Sequence, residues 1–358
     1  MHPISLNKMK IVVDDGVKSF KEIIRLLRGF DSIEFEYLNS VNISNDILKN
    51  VDILIVRSTV KLNKSLLDKT KIKLVFSATA GKDHIDENYL KSRNINWFHC
   101  PGSNAESVVN YVMSAIQFLH EKGIFQSNNK IGIIGYGNIG SKLKRALDCF
   151  SFKNYVYDPF LDHNFLVNLK KIQTCDLISI HVPLTFDTNF PTSNFIDKSF
   201  MMEMNSKTLI NTSRGGVVNE QDLIEFNKIN YISDVWLNEP IPSKEIIDFS
   251  LISTPHIAGH SFDGKINGTI KIINDLQNFL ELEKSNKMFN IEVLSGYSSN
   301  NKSDYQGDMS LESYKSNYDI ETESNKFKKD YKHCDNELSV FLRSRANHPK
   351  RRDIKLSF

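Results

Sequence analysis

The chain lacks any apolar run approaching the ~18 residues that a membrane span needs, which excludes a helical membrane protein. Residues 1–10 hold no hydrophobic signal core, so a cytoplasmic protein is expected. Met1 and Met9 are both candidate starts; with Met9, directly before the strand-like Lys10-Ile11-Val12-Val13, the first eight residues would be a ragged extension. Cysteine is scarce: Cys100, Cys149, Cys175 and Cys334 form no C-x-x-C pair and have no histidine at metal spacing. Neither a disulfide framework nor a metal site is expected, and idle thiols in a reducing cytosol are. An excess of one charge is missing too, since 45 Lys and Arg against 43 Asp and Glu leave +2. Before the last dozen residues the basic side chains are interleaved with Asp, Glu and Asn, which argues against a nucleic-acid partner. There is no G-x-S-x-G elbow to serve a Ser-His-Glu hydrolase, and no usable internal repeat.

What is present is an ordinary globular composition, 40% hydrophobic and 25% charged over 358 residues, enough chain for two or three compact units. Strand-like runs occur at Ile11 to Val13, Ile53 to Val56, Leu74 to Phe76, Ile95 to Phe98, Ile131 to Ile134, Tyr155 to Tyr157 and Leu177 to Val182. The series continues at Leu209-Ile210, Tyr231-Ile232 and Leu251-Ile252, with helix-period segments such as Val17 to Leu27 and Leu143 to Phe150 between. That alternation predicts an α/β protein of βαβ units with parallel sheets. Two series are joined by an amphipathic helix, about Asn104 to Lys122, carrying Val108, Val109, Val112, Ala115, Ile116 and Leu119 at helical spacing. A second helix, Asp263 to about Glu281, can carry the chain back onto the first unit. Beyond Glu283 the composition turns to Ser, Asn, Lys and Tyr, which by itself reads as a linker or disordered tail.

The run Lys130 to Ile134 leads into Gly135-Tyr136-Gly137-Asn138-Ile139-Gly140, and a helical segment Ser141 to Phe150 follows. This is G-x-G-x-x-G in a strand-turn-helix setting. The first glycine permits the turn, the second lets backbone approach a pyrophosphate, and the third lets helix pack on strand. The free N–H groups of the helix start suit the anion. The next strand ends in Asp158, where a carboxylate would bond the adenosine ribose and repel a 2′-phosphate, so NAD is expected over NADP.

Three further segments follow predicted strand ends: Asn211-Thr212-Ser213-Arg214-Gly215, Asp234-Val235-Trp236-Leu237-Asn238-Glu239-Pro240 and Thr254-Pro255-His256-Ile257-Ala258-Gly259. In an open parallel sheet the carboxyl ends of the strands line the ligand crevice. Oxidation of a hydroxy-acid needs a base, a cation for the carboxylate or nascent carbonyl, and a hydride acceptor. His256 suits the base, and Glu239 on its other ring nitrogen would fix the tautomer and favour the protonated ring. Arg214 offers a planar fork for two-point contact. Singly, each would pass for a structural residue.

Their order after the nucleotide turn resembles the Arg, Glu and His motifs of the D-2-hydroxyacid dehydrogenase family, and His181-Val182-Pro183-Leu184-Thr185 extends the likeness. The resemblance implies two Rossmann-like or flavodoxin-like domains, catalytic Arg214, Glu239 and His256, and NAD held by Gly135, Gly137, Asn138, Ile139, Gly140, Asp158, Val182, Thr212, Ser213, Arg214, Asp234 and Gly259. Further segments resemble a branch acting on a phosphorylated hydroxy-acid: Val56-Arg57-Ser58, Asn63 to Leu67, Ala78 to Asp86, Cys100 to Ala105, and Phe341-Leu342-Arg343 with His348 to Asp353. They imply substrate contacts at Arg57, Ser58, Thr79, Gly81 and His260. A tyrosine typically follows the His-Ile-Ala-Gly motif there, whereas here His260 does, a hydrogen-bond donor of shorter reach. The implied domains are 1–103, completed by about 260–283, for substrate; 104–259 for NAD; and 284–358 as a dimerisation region of a homodimer. The alternatives are a phosphoglycerate or simple hydroxy-acid dehydrogenase, and a non-catalytic NAD-sensing protein.

Overall fold

Strands such as Ile53–Val56 and Ile131–Ile134 are buried at every position, which requires cover on both faces of the sheet. The computed structural model describes residues 9–282 and 310–355. They divide into one unit of 9–104 with 262–282 and another of 105–261 with 310–355.

The first unit carries β1 (Lys10–Asp14), β2 (Glu34–Leu38), β3 (Ile53–Val56), β4 (Leu74–Ser77) and β5 (Asn96–Phe98), all parallel in the order β2-β1-β3-β4-β5. One face packs Ile11, Val13, Ile53 and Ile55 against Phe20 and Ile23 of helix Phe20–Ile24 and Ile272, Ile273 and Leu276 of helix Phe262–Phe279. The first of these helices is shorter than Val17 to Leu27, because Ser19 is left-handed at φ 55° and the chain turns again at Leu27, whose N–H reaches Ile24 O at 3.0 Å. The edge strand β2 escapes the sequence reading. Its Glu36 pairs with Lys10 at 2.8 Å while Phe35 and Tyr37 pack inward.

The second unit carries β6 (Ile131–Ile134), β7 (Asn154–Tyr157), β8 (Leu177–Ile180), β9 (Thr208–Asn211), β10 (Asn230–Ser233) and β11 (Ile252–Ser253), parallel in the order β11-β10-β9-β8-β6-β7. The strand order reverses between β6 and β8, the switch point at which such sheets open a crevice. Side-chain caps start the connecting helices, as where Asn219 accepts Asp222 N–H and Asn168 accepts Lys171 N–H.

Helix Ala105–Glu121 is buried without a break from Ser107 through Leu119, polar side chains included. Its outer face is covered by the chain beyond residue 310, where composition alone suggests a tail. That expectation fails: helices Glu312–Asn317, Ile320–Lys332 and Glu337–Ala346 form there. Tyr314, Tyr318 and Ile320 join the cluster around Val108 and Val112, while Phe327, Tyr331, Val340 and Phe341 join that around Ile246 and Ile247. A few large anchors at helical spacing secure a segment whose average composition is polar. Residues 283–309, the Ser295 to Asp304 stretch among them, lie outside the described residues. No helix among the described residues is long and apolar enough to cross a membrane.

Candidate active site

The carboxyl ends of β6 to β11 bring the second unit's motifs together. At the glycine turn, Gly135 N–H donates to Tyr157 O at 2.8 Å, tying the ends of β6 and β7. A Cβ at Gly140 would stand 1.9 Å from Gly135 O, so only glycine allows this closeness of helix and turn. At Gly137, by contrast, a Cβ would meet nothing within 4 Å. Gly137 is also the N-cap of helix Asn138–Cys149 and supplies no side-chain cap, so open space lies before the N–H groups of the first turn. A dinucleotide's pyrophosphate fits that arrangement. The Asp158 carboxylate accepts Tyr136 N–H at 2.8 Å and Phe160 N–H at 3.0 Å, which fixes it beside the turn. A carboxylate has about four acceptor sites, so it can also receive ribose hydroxyls.

After β8, burial pulls His181 down to about 3, leaving a neutral ring between Ser179 Oγ at 2.8 Å and Thr212 Oγ1 at 3.4 Å. After β9, Asn211 knits the Arg214 loop: its Oδ1 accepts the N–H and hydroxyl of Ser213 at 3.0 and 2.8 Å, and its Nδ2 donates to Arg214 O at 3.1 Å. Arg214 Nη1 donates to Ser213 O at 2.7 Å. A Cβ at Gly215 would lie 1.9 Å from Trp236 O, so this loop sits flush on the backbone that leads to Glu239.

His256 and Glu239 meet at 2.7 Å, Nδ1 to Oε2, and Glu239 Oε1 accepts Trp236 N–H at 2.8 Å. Nε2 is then the ring nitrogen that can exchange a proton with a substrate. Burial would raise the Glu239 carboxyl, but His256, through its charge and hydrogen bond, and the Trp236 N–H hold it below the usual carboxylate range. His256 itself is left-handed at φ 58°, an unfavourable state for a side chain with a Cβ. The loop is held there from beneath by Asp234, only 1% exposed, which accepts Ile257 N–H and Ala258 N–H at 2.7 Å each and the Thr254 hydroxyl at 2.6 Å. Burial raises the Asp234 carboxyl against these bonds. His260 follows Gly259, its N–H on Ile257 O at 2.9 Å and its ring 5.3 Å from that of His348.

The sequence reading gives Asn211 no role beyond its place in the Arg214 segment and does not single out Glu220. Glu220 stands at the start of helix Glu220–Phe226 and accepts Leu237 N–H at 2.8 Å, steadying the loop from its other side. Burial, with Glu239 adding to it, pushes its carboxyl up to about 7. Because the folded value lies above the ordinary 4.5, the stability this group contributes is complete below about pH 4.5 and lost as pH rises through about 7. Relative to Glu220→Gln, the wild type should therefore lose stability between about pH 5 and about pH 8, with a slope no steeper than roughly 1.4 kcal/mol for each step of one in pH. Urea unfolding of both proteins across that range checks the sign; parallel curves would count against it.

In the first unit, Arg57 at the end of β3 pairs with the buried Asp14 at 3.0 and 3.2 Å, and Ser58 beside it is exposed. Thr79 Oγ1 donates to Gly81 O at 3.1 Å and lies 2.8 Å from Ser77 Oγ, which also meets His84 Nε2 at 2.8 Å. Burial pulls His84 down to about 4, so that ring is neutral. All four cysteines are free; burial pushes Cys100 up to about 12 and Cys175 up to about 11, far from nucleophilic thiolates.

Residues 113–258 match the family described as D-isomer specific 2-hydroxyacid dehydrogenase, NAD binding domain. The chain is 36% identical over 295 residues to a curated protein of Wigglesworthia glossinidia brevipalpis named erythronate-4-phosphate dehydrogenase, with 78% of this chain and 75% of that protein covered. A protein of the same name from Legionella pneumophila is 34% identical over 319 residues, 87% of each chain. Among solved structures, NAD+-bound 3-phosphoglycerate dehydrogenase of Entamoeba histolytica shares the fold with a TM-score of 0.64 at 23% identity, covering 78% of this chain and 100% of that one. An NAD complex of formate dehydrogenase from Staphylococcus aureus gives a TM-score of 0.60 at 23% identity, with 78% and 97% covered. The chain belongs to the D-isomer specific 2-hydroxyacid dehydrogenase family and is an NAD-dependent oxidoreductase acting on a CH–OH group.

Proposed function

We propose that the protein oxidises 4-phospho-D-erythronate to 2-oxo-3-hydroxy-4-phosphobutanoate, a step of pyridoxal 5′-phosphate biosynthesis, in the cytoplasm. The observation that carries this reading is the His256–Glu239 pair, 2.7 Å apart across two loops, the one bearing Glu239 in close backbone contact with that of Arg214. The curated relatives bearing the erythronate-4-phosphate name supply the substrate.

In this mechanism Arg214 binds the substrate carboxylate or the oxygen being oxidised, fixing which face of the carbon is presented. His256 Nε2 removes the hydroxyl proton as the C–O bond gains double-bond character. Glu239 holds the ring by Nδ1 and stabilises the imidazolium that forms. Bound NAD would supply the hydride acceptor; one proton and two electrons would leave the same carbon as hydride, while His256 keeps the second proton. Gly135, Gly137, Asn138, Ile139, Gly140, Asp158, Val182, Thr212, Ser213, Arg214, Asp234 and Gly259 are the proposed cofactor contacts. Arg57, Ser58, Thr79, Gly81 and His260 are the proposed substrate contacts, with Arg57 held ready by Asp14. A homodimer belongs to the same proposal, supported by Leu338 and Leu342, 40% and 48% exposed and four residues apart on one helix face.

Following nicotinamide absorbance with 4-phospho-D-erythronate and then 3-phosphoglycerate tests the substrate. Turnover should be strongly biased to the first, and a bias to the second overturns the assignment. Asp158→Ala should narrow the preference for NAD over NADP, since the clash with a 2′-phosphate is removed. It should also weaken binding of both, because Tyr136 N–H and Phe160 N–H lose their acceptor. Steady-state kinetics with each cofactor check this; equal wild-type efficiency with NADP would place Asp158 away from the ribose.

A further inference from the structure

Residues 347–354 form no helix or strand, yet they are fastened to the loop that carries His256. The basic run Lys350-Arg351-Arg352 is expected from sequence to be solvated or to meet a partner's carboxylates. Arg351 instead is only 4% exposed. Its Nη2 donates to Ile257 O at 3.1 Å and to Ala258 O, and its guanidinium lies 4.2 Å over the Tyr318 ring. The N–H groups of the same two residues are held by Asp234 at 2.7 Å each. The peptides that directly follow His256 are thus gripped at their amides by a carboxylate rooted at β10 and at their carbonyls by a guanidinium rooted in the C-terminal segment.

A second fastening lies at the far end of the loop, where Ser107 Oγ sits 2.6 Å from Ser261 Oγ and donates to Asp353 Oδ2 at 2.9 Å. A third locks the segment to helix Ala105–Glu121, for Asn110 accepts Ile354 N–H at 2.7 Å and donates to Ile354 O at 3.0 Å. Burying a guanidinium is costly, and a methionine could fill such space without that penalty. What Arg provides is a long side chain that brings one charged nitrogen, Nη2, to two adjacent carbonyls while its flat face rests on the Tyr318 ring. The residue that needs such support is His256, left-handed at φ 58°, since a strained backbone persists only where its surroundings over-determine it.

We infer that Arg351 is a positioning residue for catalysis, and that the segment around it, 348–354, is a strap that sets the direction of the His256 ring. The strap acts through the backbone of Ile257 and Ala258, not by contact with the reacting atoms. This deepens the proposed mechanism and rests on His256 being the proton-transfer group.

The test uses full-length Arg351→Met and Arg351→Lys beside His256→Ala, with 4-phospho-D-erythronate and NAD. Arg351→Met should lose roughly a hundredfold in kcat, the order expected when a catalytic group is displaced by about 1 Å. KM for the hydroxy-acid and the calorimetric Kd for NAD should stay near wild type. Arg351→Lys, which keeps the charge but has a shorter reach and no planar face to lie on Tyr318, should fall between, and added guanidinium ion at a non-denaturing concentration should restore part of the Arg351→Met rate. A wild-type kcat in Arg351→Met overturns the inference, as does a joint loss of kcat and NAD affinity that guanidinium does not relieve. Should Arg351→Met fail to fold, Arg351→Lys decides alone, and a wild-type kcat there overturns it. Retention of rate in His256→Ala sinks the underlying mechanism instead, which keeps the two failures distinct.

Discussion

His256→Ala is expected to reduce kcat by roughly a hundred- to ten-thousandfold, the usual consequence of losing a general base, with NAD affinity unchanged. The reason is the division of labour along the sheet's carboxyl edge. The features suited to the dinucleotide, the open space at Gly137 and the Asp158 carboxylate, lie at β6 and β7. His256 follows β11 at the opposite end of the strand order. Its own hydrogen bond goes to Glu239, so alanine should leave one half-buried carboxylate without its ring partner but the nucleotide turn intact. Steady-state kinetics together with NAD calorimetry check both halves. A variant retaining most of its rate would remove the mechanism, and one that lost NAD binding would reassign the residue.

Removal of the chain beyond Leu282 should have the largest effect on stability. Phe327, Tyr331 and Phe341, all nearly inaccessible, pack with the Ile246 and Ile247 cluster, and Tyr314 and Tyr318 cover helix Ala105–Glu121. Deleting one such aromatic costs about 3–5 kcal/mol, against a total stability of about 5–15 kcal/mol for a domain. Polar connections go too: Ser324 Oγ accepts Ser253 N–H at 2.9 Å, and Tyr331 OH donates to Pro242 O at 2.8 Å. The truncated protein should aggregate or melt far below the full chain, its nucleotide unit included. Light scattering and thermal unfolding read this, with the full chain expected at two chains per particle. A truncated protein with the full chain's melting midpoint would show the C-terminal helices to be dispensable.

Much of the architecture was legible because parallel strands buried on both faces are near-continuous apolar runs. Ile53–Val56 and Ile131–Ile134 appear in the structure with the bounds read from sequence. The glycine turn was legible because its spacing serves a ligand, not merely the fold. β2 was not, since Glu34 and Glu36 on an edge strand break the apolar pattern that the reading relied on. The C-terminal helices were hidden by dilution, with Phe327, Tyr331 and Phe341 scattered among lysines, asparagines and serines. Glu239 and His256 could be named from their motifs, but their 2.7 Å contact joins residues seventeen apart that only the fold of two loops brings together. Glu220 was not named at all, and Asp234 and Arg351 were named only for other roles, because holding a backbone has no residue pattern of its own.

The most direct test of the central claim is to supply 4-phospho-D-erythronate carrying deuterium at C2 with unlabelled NAD and to weigh the reduced cofactor by mass spectrometry. Hydride transfer from the carbon bearing the hydroxyl predicts NADH one mass unit heavier, formed in equal amount to the 2-oxo acid. Unlabelled NADH, or no reduced cofactor at all, would contradict the account.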